Sequence, residues 1–267
     1  MHRTAIVNLK AYIRLARLEA TSPMTGGIFY FLSGYFVRLV RILLLLSIWR
    51  AVLPQTSEAG QLDQVLRYTL LAGVFWQQVD VETTASTTFW EGSASSRFLR
   101  PLSVFGQYMA ETVGKWVPVL LFFSIPLLLV SPLLGVDLRP ISMATMWLFP
   151  ASLAIGILSG FAMDFILTGF MVYLGNDNFV ASQIRAATTM LLSGALIPFY
   201  LLPLGIGSVL EWLPFATMAS APLSIYTGTA GSVARLLLLQ SGWCLVLWTA
   251  ASYIWEKNRQ KLVIFGG

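Results

Sequence analysis

The sequence holds almost nothing with which to do covalent or metal chemistry. It has one cysteine, Cys244, inside an apolar stretch, and one histidine, His2. A disulfide framework needs paired cysteines and a Cys/His metal site needs several ligands, so both are excluded. Charge is scarce as well. Only 11% of the 267 residues are charged, against the roughly 25% that solvates an ordinary globular surface. Apolar residues take their place: they make up 57% of the chain, and the mean hydropathy is +0.74. Lipid must therefore be the main solvent. The net charge of +5 comes from basic residues at the edges of apolar runs, not from a patch, which argues against nucleic acid.

These features predict an all-α membrane protein with about six transmembrane helices of roughly 20 residues each. The expected spans cover about 28–53, 62–86, 106–131, 142–174, 181–203 and 232–255. The first stops at Pro54, and the fourth is long enough to tilt or to extend past the bilayer. Ahead of them, Ala5, Ile6, Leu9, Tyr12, Ile13, Leu15, Ala16 and Leu18 recur at helical spacing, with Lys10, Arg14 and Arg17 between. That is an amphipathic helix for the membrane interface, broken by Pro23, Gly26 and Gly27. Residues 1–22 are thus expected to form an interfacial elbow helix, and 23–267 a single transmembrane domain. Arg, Lys and Glu interrupt the first 20 residues, so no secretory signal is expected and insertion relies on the first span.

Orientation follows from the basic residues. With the N-terminus inside, the cytoplasmic segments carry Arg3, Lys10, Arg14, Arg17, Arg97, Arg100, Arg185, Lys257, Arg259 and Lys261. The outer loops carry only Arg139 and Arg235. That bias, with an even number of spans, puts both termini in the cytoplasm.

Charges within the spans must snorkel, pair or line a polar cavity. Arg38 and Arg41 share a face of the first span, and Asp80 and Glu82 lie at similar depth at the inner end of the second. One of the arginines is expected to pair with one of the carboxylates, and Lys115 with Asp164. Register-fixing pairs are favoured over direct substrate contact. Arg50 and Arg67 are expected to snorkel at the outer interface. Gly156 and Gly160, flanked by Ser152, Ser159 and Ala162, form a small-residue face suited to close helix packing or to a dimer contact. Trp76, Gln77 and Gln78 in the second span are candidates for a substrate pathway, since buried amides need partners.

Two linkers carry more information. Residues 198–222 place Pro198, Pro203, Pro214 and Pro222 among apolar residues such as Phe215, with Glu211 the only charge. Irregular apolar backbone of this kind survives where protein buries it, so a re-entrant or extracellular helical hairpin is expected before the last span. The segment 87–105 lies inside, between spans two and three. It reads as a short amphipathic helix entered at Gly92 and Ser93 and stopped at Pro101. It suits either a solvated loop or a rigid lever for a partner. In the second reading Phe89, Trp90, Phe98 and Leu99 plug into the partner, and Glu91, Arg97 and Arg100 pair with it.

Phe89-Trp90-Glu91-Gly92, followed by Phe98-Leu99-Arg100-Pro101-Leu102, resembles the cytoplasmic coupling segment of the ABC-2 family of type-2 ABC exporter permeases, the small six-span kind without a fused ATPase. Leu192-Ser193-Gly194-Ala195-Leu196-Ile197-Pro198 is similar to that family's fifth-span exit. Leu213-Pro214-Phe215, Pro222 and Tyr226-Thr227-Gly228 resemble its extracellular loop, and Phe265-Gly266-Gly267 its C-terminus. The resemblance covers roughly residues 60–267; residues 1–60 match in pattern only. It implies a permease subunit of a bacterial inner-membrane exporter. Two such subunits, identical or homologous, would work with two ATPase chains that carry ATP and Mg. No cofactor is expected here: Gly114-Lys115-Trp116 lacks the flanking residues of a phosphate-binding loop.

Two other classes stay open. A membrane-embedded enzyme acting on lipids needs a converging acid/base pair or nucleophile, for which only Asp80, Glu82 and Asp164 offer themselves. An ion-coupled secondary transporter or channel would show matched broken helices in the two halves, and no internal repeat is evident.

Overall fold

The computed structural model describes residues 2–25, 28–53, 60–174 and 178–257. Pro54, the glycines at 26 and 27, the cations Arg259 and Lys261 and the C-terminal Phe265-Gly266-Gly267 lie outside these residues. Every regular element among the described residues is helical. In chain order these are α1 (His2–Thr25), α2 (Ile28–Val52), α3 (Gln61–Val74), α4 (Trp76–Val79), α5 (Ala85–Trp90), α6 (Ser95–Phe98), α7 (Val104–Val119) and α8 (Ile125–Val130). They continue with α9 (Met143–Leu174), α10 (Asn178–Leu192), α11 (Ile206–Leu210), α12 (Ser220–Thr227) and α13 (Val233–Lys257).

Among the described residues, four helical stretches are long and apolar enough to cross a membrane: Leu32–Val52, Val104–Leu134, Met143–Val172 and Val233–Lys257. They fall on four of the six expected spans. The remaining two are not continuous helices. The stretch 62–86 stops at Val74, makes one further turn in α4, and is non-helical from Asp80 to Thr84. β-Branched Val81, Thr83 and Thr84 weaken the helix here, and Asp80 and Glu82 find better partners by leaving it. The carbonyl of Val74, orphaned by the break, accepts a 2.8 Å bond from the Ser124 hydroxyl. The stretch 181–203 likewise ends at Leu192, and Gly194 takes a left-handed φ of +77°.

The third expected span bends rather than breaks. Pro118 removes one backbone donor near the end of α7, and Leu120–Ser124 form a π-helical turn that leads into α8.

The long helix α9 is the axis of the bundle. It is apolar on all sides, as a helix surrounded by others must be. α13, α12, α10, α4 and α5 all pack against it. Its Gly156 and Gly160 are used inside the chain. A Cβ on Gly156 would lie 2.9 Å from the Met218 carbonyl oxygen, and one on Gly160 would lie 2.7 Å from Val81 Cγ2. Gln240, fully buried on α13, accepts from the Ser152 hydroxyl and donates to the carbonyls of Ser152 and Thr217, at 2.7–2.9 Å. An aromatic cluster joins α7, α9 and α13, where Phe105, Phe165, Trp248 and Trp255 pack edge-to-face or stacked.

The helix α1 runs past Pro23 to Thr25 instead of ending there. Its Tyr12, Ala16 and Glu19 face α7, along which it packs lengthwise. Tyr12 accepts from the Ser103 backbone N–H at 3.1 Å, and Gly114 lies against the Ala16 backbone. Leu9, Ile13 and Leu18 stay exposed, beside the equally exposed Lys10, Arg14 and Arg17.

Candidate functional site

The α5–α6 segment that leads into α7 is a constructed surface feature. It is two short helices joined by a turn in which Gly92 adopts a φ of +73°, a conformation any side chain would strain. Phe89, expected to plug into a partner, is instead buried to 1% exposure against Trp255 and Phe98. Arg97, expected to pair with a partner, is held within the chain. It donates to Glu111 Oε1 at 2.6 Å and lies 4.2 Å over the Tyr108 ring, whose hydroxyl bonds that of Thr88 at 2.6 Å. Gln107, fully buried, donates to the carbonyls of Arg97 and Leu102. Ser103 caps α7 by accepting from Gly106 N–H.

What remains outward is a compact mixed surface. Trp90 is 56% and Leu99 87% exposed, and Glu91, Arg100 and Pro101 are exposed beside them. The sequence grouped Phe89, Trp90, Phe98 and Leu99 together as outward plugs, and tertiary packing separates the buried Phe89 from the exposed Trp90 and Leu99.

A second cluster lies deeper. Arg185 on α10 donates to Asp80 Oδ1 at 2.9 Å and meets Glu82 Oε2 at 3.0 Å, with Asp164 on α9 at 4.0 Å. It also donates to the Val81 carbonyl. Asp164 is completed by Thr83, whose N–H and O–H both donate to Oδ2 at 3.2 and 2.5 Å. The expected pairings therefore do not form. Asp80 and Glu82 face Arg185 rather than Arg38 or Arg41, and Asp164 does so rather than Lys115, which lies 3.9 Å from Glu19. Arg185 marked topology in the sequence and Glu111 carried no expectation; each lies at the right depth for its partner, and depth was the available signal.

Arg38 and Arg41 face rings. Arg41 sits 4.5 Å over Trp76 and Arg38 5.8 Å over Phe123, with no carboxylate within ion-pair distance of either among the described residues. An arginine inside a membrane span costs up to about 2.5–3.5 kcal/mol on insertion scales. A ring contact returns about 0.5–2 kcal/mol. The rings therefore hold these cations without neutralising them.

Two cavities meet at Arg38 and Trp76, which line both. One, about 340 Å³, is polar and is bounded also by Gln77, Asp80, Glu82, Thr112 and Lys115. The other, about 250 Å³, is mainly aliphatic. Gln77 leaves its carbonyl oxygen without a partner, and the buried Gln78 leaves its amide nitrogen so.

The segment 198–222 folds back on itself in short helical pieces. Gly207 packs so closely on the Phe199 carbonyl that a Cβ would lie 2.1 Å from its oxygen. Pro203 is exposed at the tip, Glu211 and Pro214 are half-buried with Phe215, and Pro198 leads into the turn at Phe199–Leu201. From Ala216 to Leu223 the chain is buried, tied by Ser220 N–H to the Ser193 carbonyl at 2.9 Å. Arg235 stacks over Trp212 at 4.7 Å at its edge. Nearby Arg50 donates to the Leu134 carbonyl, and Arg67 pairs with Asp63 at 2.7 Å, so both are anchored within the chain.

No family model matches the chain, and no curated protein matches it either.

Proposed function

We propose that the chain is the membrane-spanning permease subunit of an ATP-driven exporter of the ABC-2 type, and that the segment 85–103 is its lever. The supporting observation is the split of that segment into a clamped root and an outward tip. Phe89 and the Arg97–Glu111 pair fix the root to α13 and α7, while Trp90, Glu91, Leu99 and Arg100 face out. Large exposed aromatic and aliphatic side chains beside single charges are what a docked partner uses as anchor and register. A surface loop without that role would need no buried clamp.

In this reading α3–α4 with the following turn and α10 with the irregular 193–198 supply the second and fifth passages, making six, with both termini in the cytoplasm of a bacterial inner membrane. Broken helices are tolerated there because protein and cavity satisfy the freed backbone groups. α1 lies at the inner headgroup level, where Lys10, Arg14 and Arg17 reach phosphates and Leu9, Ile13 and Leu18 enter the acyl boundary. The fold-back at 198–222 closes the outward end. Two ATPase chains carry ATP and Mg, and a second permease, identical or homologous, completes the path.

The test is co-purification of the chain with an ABC ATPase encoded beside it. Retention of the ATPase by the native chain, and its loss in Arg100→Glu or Trp90→Ala, is the expected result. Undiminished retention and transport in both variants would remove the lever assignment.

A further inference from the structure

The cavity between α2, α3 and residues 195–196 combines features that no packing role accounts for. Its walls are aliphatic, through Val37, Ile42, Leu45, Ala72 and Leu196, yet both Arg38 and Arg41 line it and no carboxylate does. A third polar group belongs to it: Thr69 is buried to 4% exposure, and its hydroxyl has no hydrogen-bond partner. Two guanidinium groups held over rings keep their N–H edges free in the plane of the group. A hydroxyl and two such forks lining one apolar chamber form a complement for a negatively charged oxygen group carried on a hydrocarbon body.

We infer that this cavity binds an anionic amphiphile. Its phosphate, sulfate or carboxylate sits between Arg38, Arg41 and Thr69, and its chain lies along Val37, Leu45 and Leu196. The carboxylates that line the adjoining polar cavity, Asp80 and Glu82, are engaged by Arg185 at 2.9 and 3.0 Å, which answers their charge there and leaves Arg38 and Arg41 without an ion-pair partner. Gly34, at the mouth, has open space where a side chain would begin, so the chamber is open beside α2. That the occupant is exported cargo rests on the permease reading; that the site takes an anion does not.

The test uses the purified full chain in a neutral maltoside detergent, with bound molecules counted by native mass spectrometry. The probe is dodecyl phosphate, set against dodecyltrimethylammonium. One bound equivalent of the phosphate is expected, at least about tenfold tighter than the cation. Arg38→Gln and Arg41→Gln should each weaken it about tenfold, the loss of one charged hydrogen bond. Gly34→Phe keeps both arginines and should abolish binding by filling the chamber. Displacement of the probe by phosphatidylglycerol assigns the occupant to the bilayer; retention against it assigns a single-chain solute; either supports the site. Equal binding of the cationic probe, or undiminished phosphate binding in the double arginine variant with intact helix content, would overturn it. Should the arginine variants fail to fold, Gly34→Phe decides alone, and unchanged binding there overturns the site. Probe binding without a co-purifying ATPase would remove only the permease reading; an ATPase held by a chain that ignores the probe would remove only the site.

Discussion

Arg97 donates to Glu111 at 2.6 Å across the joint between the α5–α6 segment and α7, with both side chains largely shielded from solvent. In the proposed permease reading, a push on the exposed Leu99 and Arg100 would be delivered to α7 through this pair. Phe89 supplies the matching contact to α13. A force-transmitting segment needs both contacts, since a lever held at one point swings.

Removing either member of that pair strands a shielded charge. Arg97→Leu and Glu111→Leu are each expected to destabilise the chain by about 2–4 kcal/mol, while the double variant recovers most of the loss. Unfolding in mixed micelles, read as a double-mutant cycle, checks this. Simple additivity of the two losses would show that the pair carries no coupling.

The Arg185 cluster should respond in a definite order. Arg185→Leu leaves Asp80, Glu82 and Asp164 without their common cation and should cost most, about 3–5 kcal/mol. Asp80→Asn comes next. Glu82→Gln should be mildest, since the Glu82 side chain is 57% exposed against 15% for Asp80, and water replaces its partner. Arg185→Lys keeps the charge but loses the fork that reaches two carboxylates at once, and should fall between. Thermal unfolding of the four purified variants tests the ranking; a Glu82 variant as damaged as the Arg185 one would contradict it.

Why Arg185 and not Arg38 serves Asp80 illustrates what a linear sequence carries. Hydropathy and the positions of Lys and Arg give each charge a depth, and by depth Arg38, Arg41, Lys115 and Arg185 were all suitable partners. They do not give the azimuth, and azimuth is settled by the break after Val74, which no proline or glycine announces between 75 and 84. The long apolar helices were legible because composition over some 20 residues outweighs any local detail. The small-residue face of α9 was legible too, though its occupant, the chain at 217–218 and Val81, was not. Phe89 and Trp90 are adjacent aromatics that were both expected to face a partner, and the location of Trp255 makes one an anchor and leaves the other on the surface.

The seating of α1 on α7 depends on Gly114. A Cβ there would lie 2.3 Å from the Ala16 carbonyl oxygen, a backbone atom that moves only if the whole helix does. Gly114→Leu is therefore expected to lift α1 from α7 and to break the Tyr12–Ser103 contact at the start of α7. Limited proteolysis should then cut at Arg14 or Arg17 at least several-fold faster than in the native chain. Tyr12→Phe, which removes only the hydroxyl, should show a smaller increase. Equal protection in all three forms would mean that α1 is held by something other than this seam.

The two glycines of α9 offer a sharper comparison, because different kinds of atom oppose them. At Gly160 the neighbour is Val81 Cγ2 at 2.7 Å, the end of a side chain; at Gly156 it is the Met218 carbonyl oxygen at 2.9 Å, with the Thr217 carbonyl at 3.1 Å. Trimming the opposing side chain makes room in the first case, but no substitution trims a backbone oxygen. Gly160→Ala should thus cost about 1–3 kcal/mol by overpacking, and Val81→Ala in the same chain should restore much of it, less the methyl groups lost. Gly156→Ala should not be rescued by shortening Met218, and it should also disturb the Gln240 bonds to Ser152 and Thr217, since the new methyl group would lie 3.4 Å from Gln240 Nε2. Unfolding midpoints of the two single and two double variants decide the matter. Rescue at 156, or none at 160, would mean that the packing of the 217–218 chain and Val81 on α9 differs from that described.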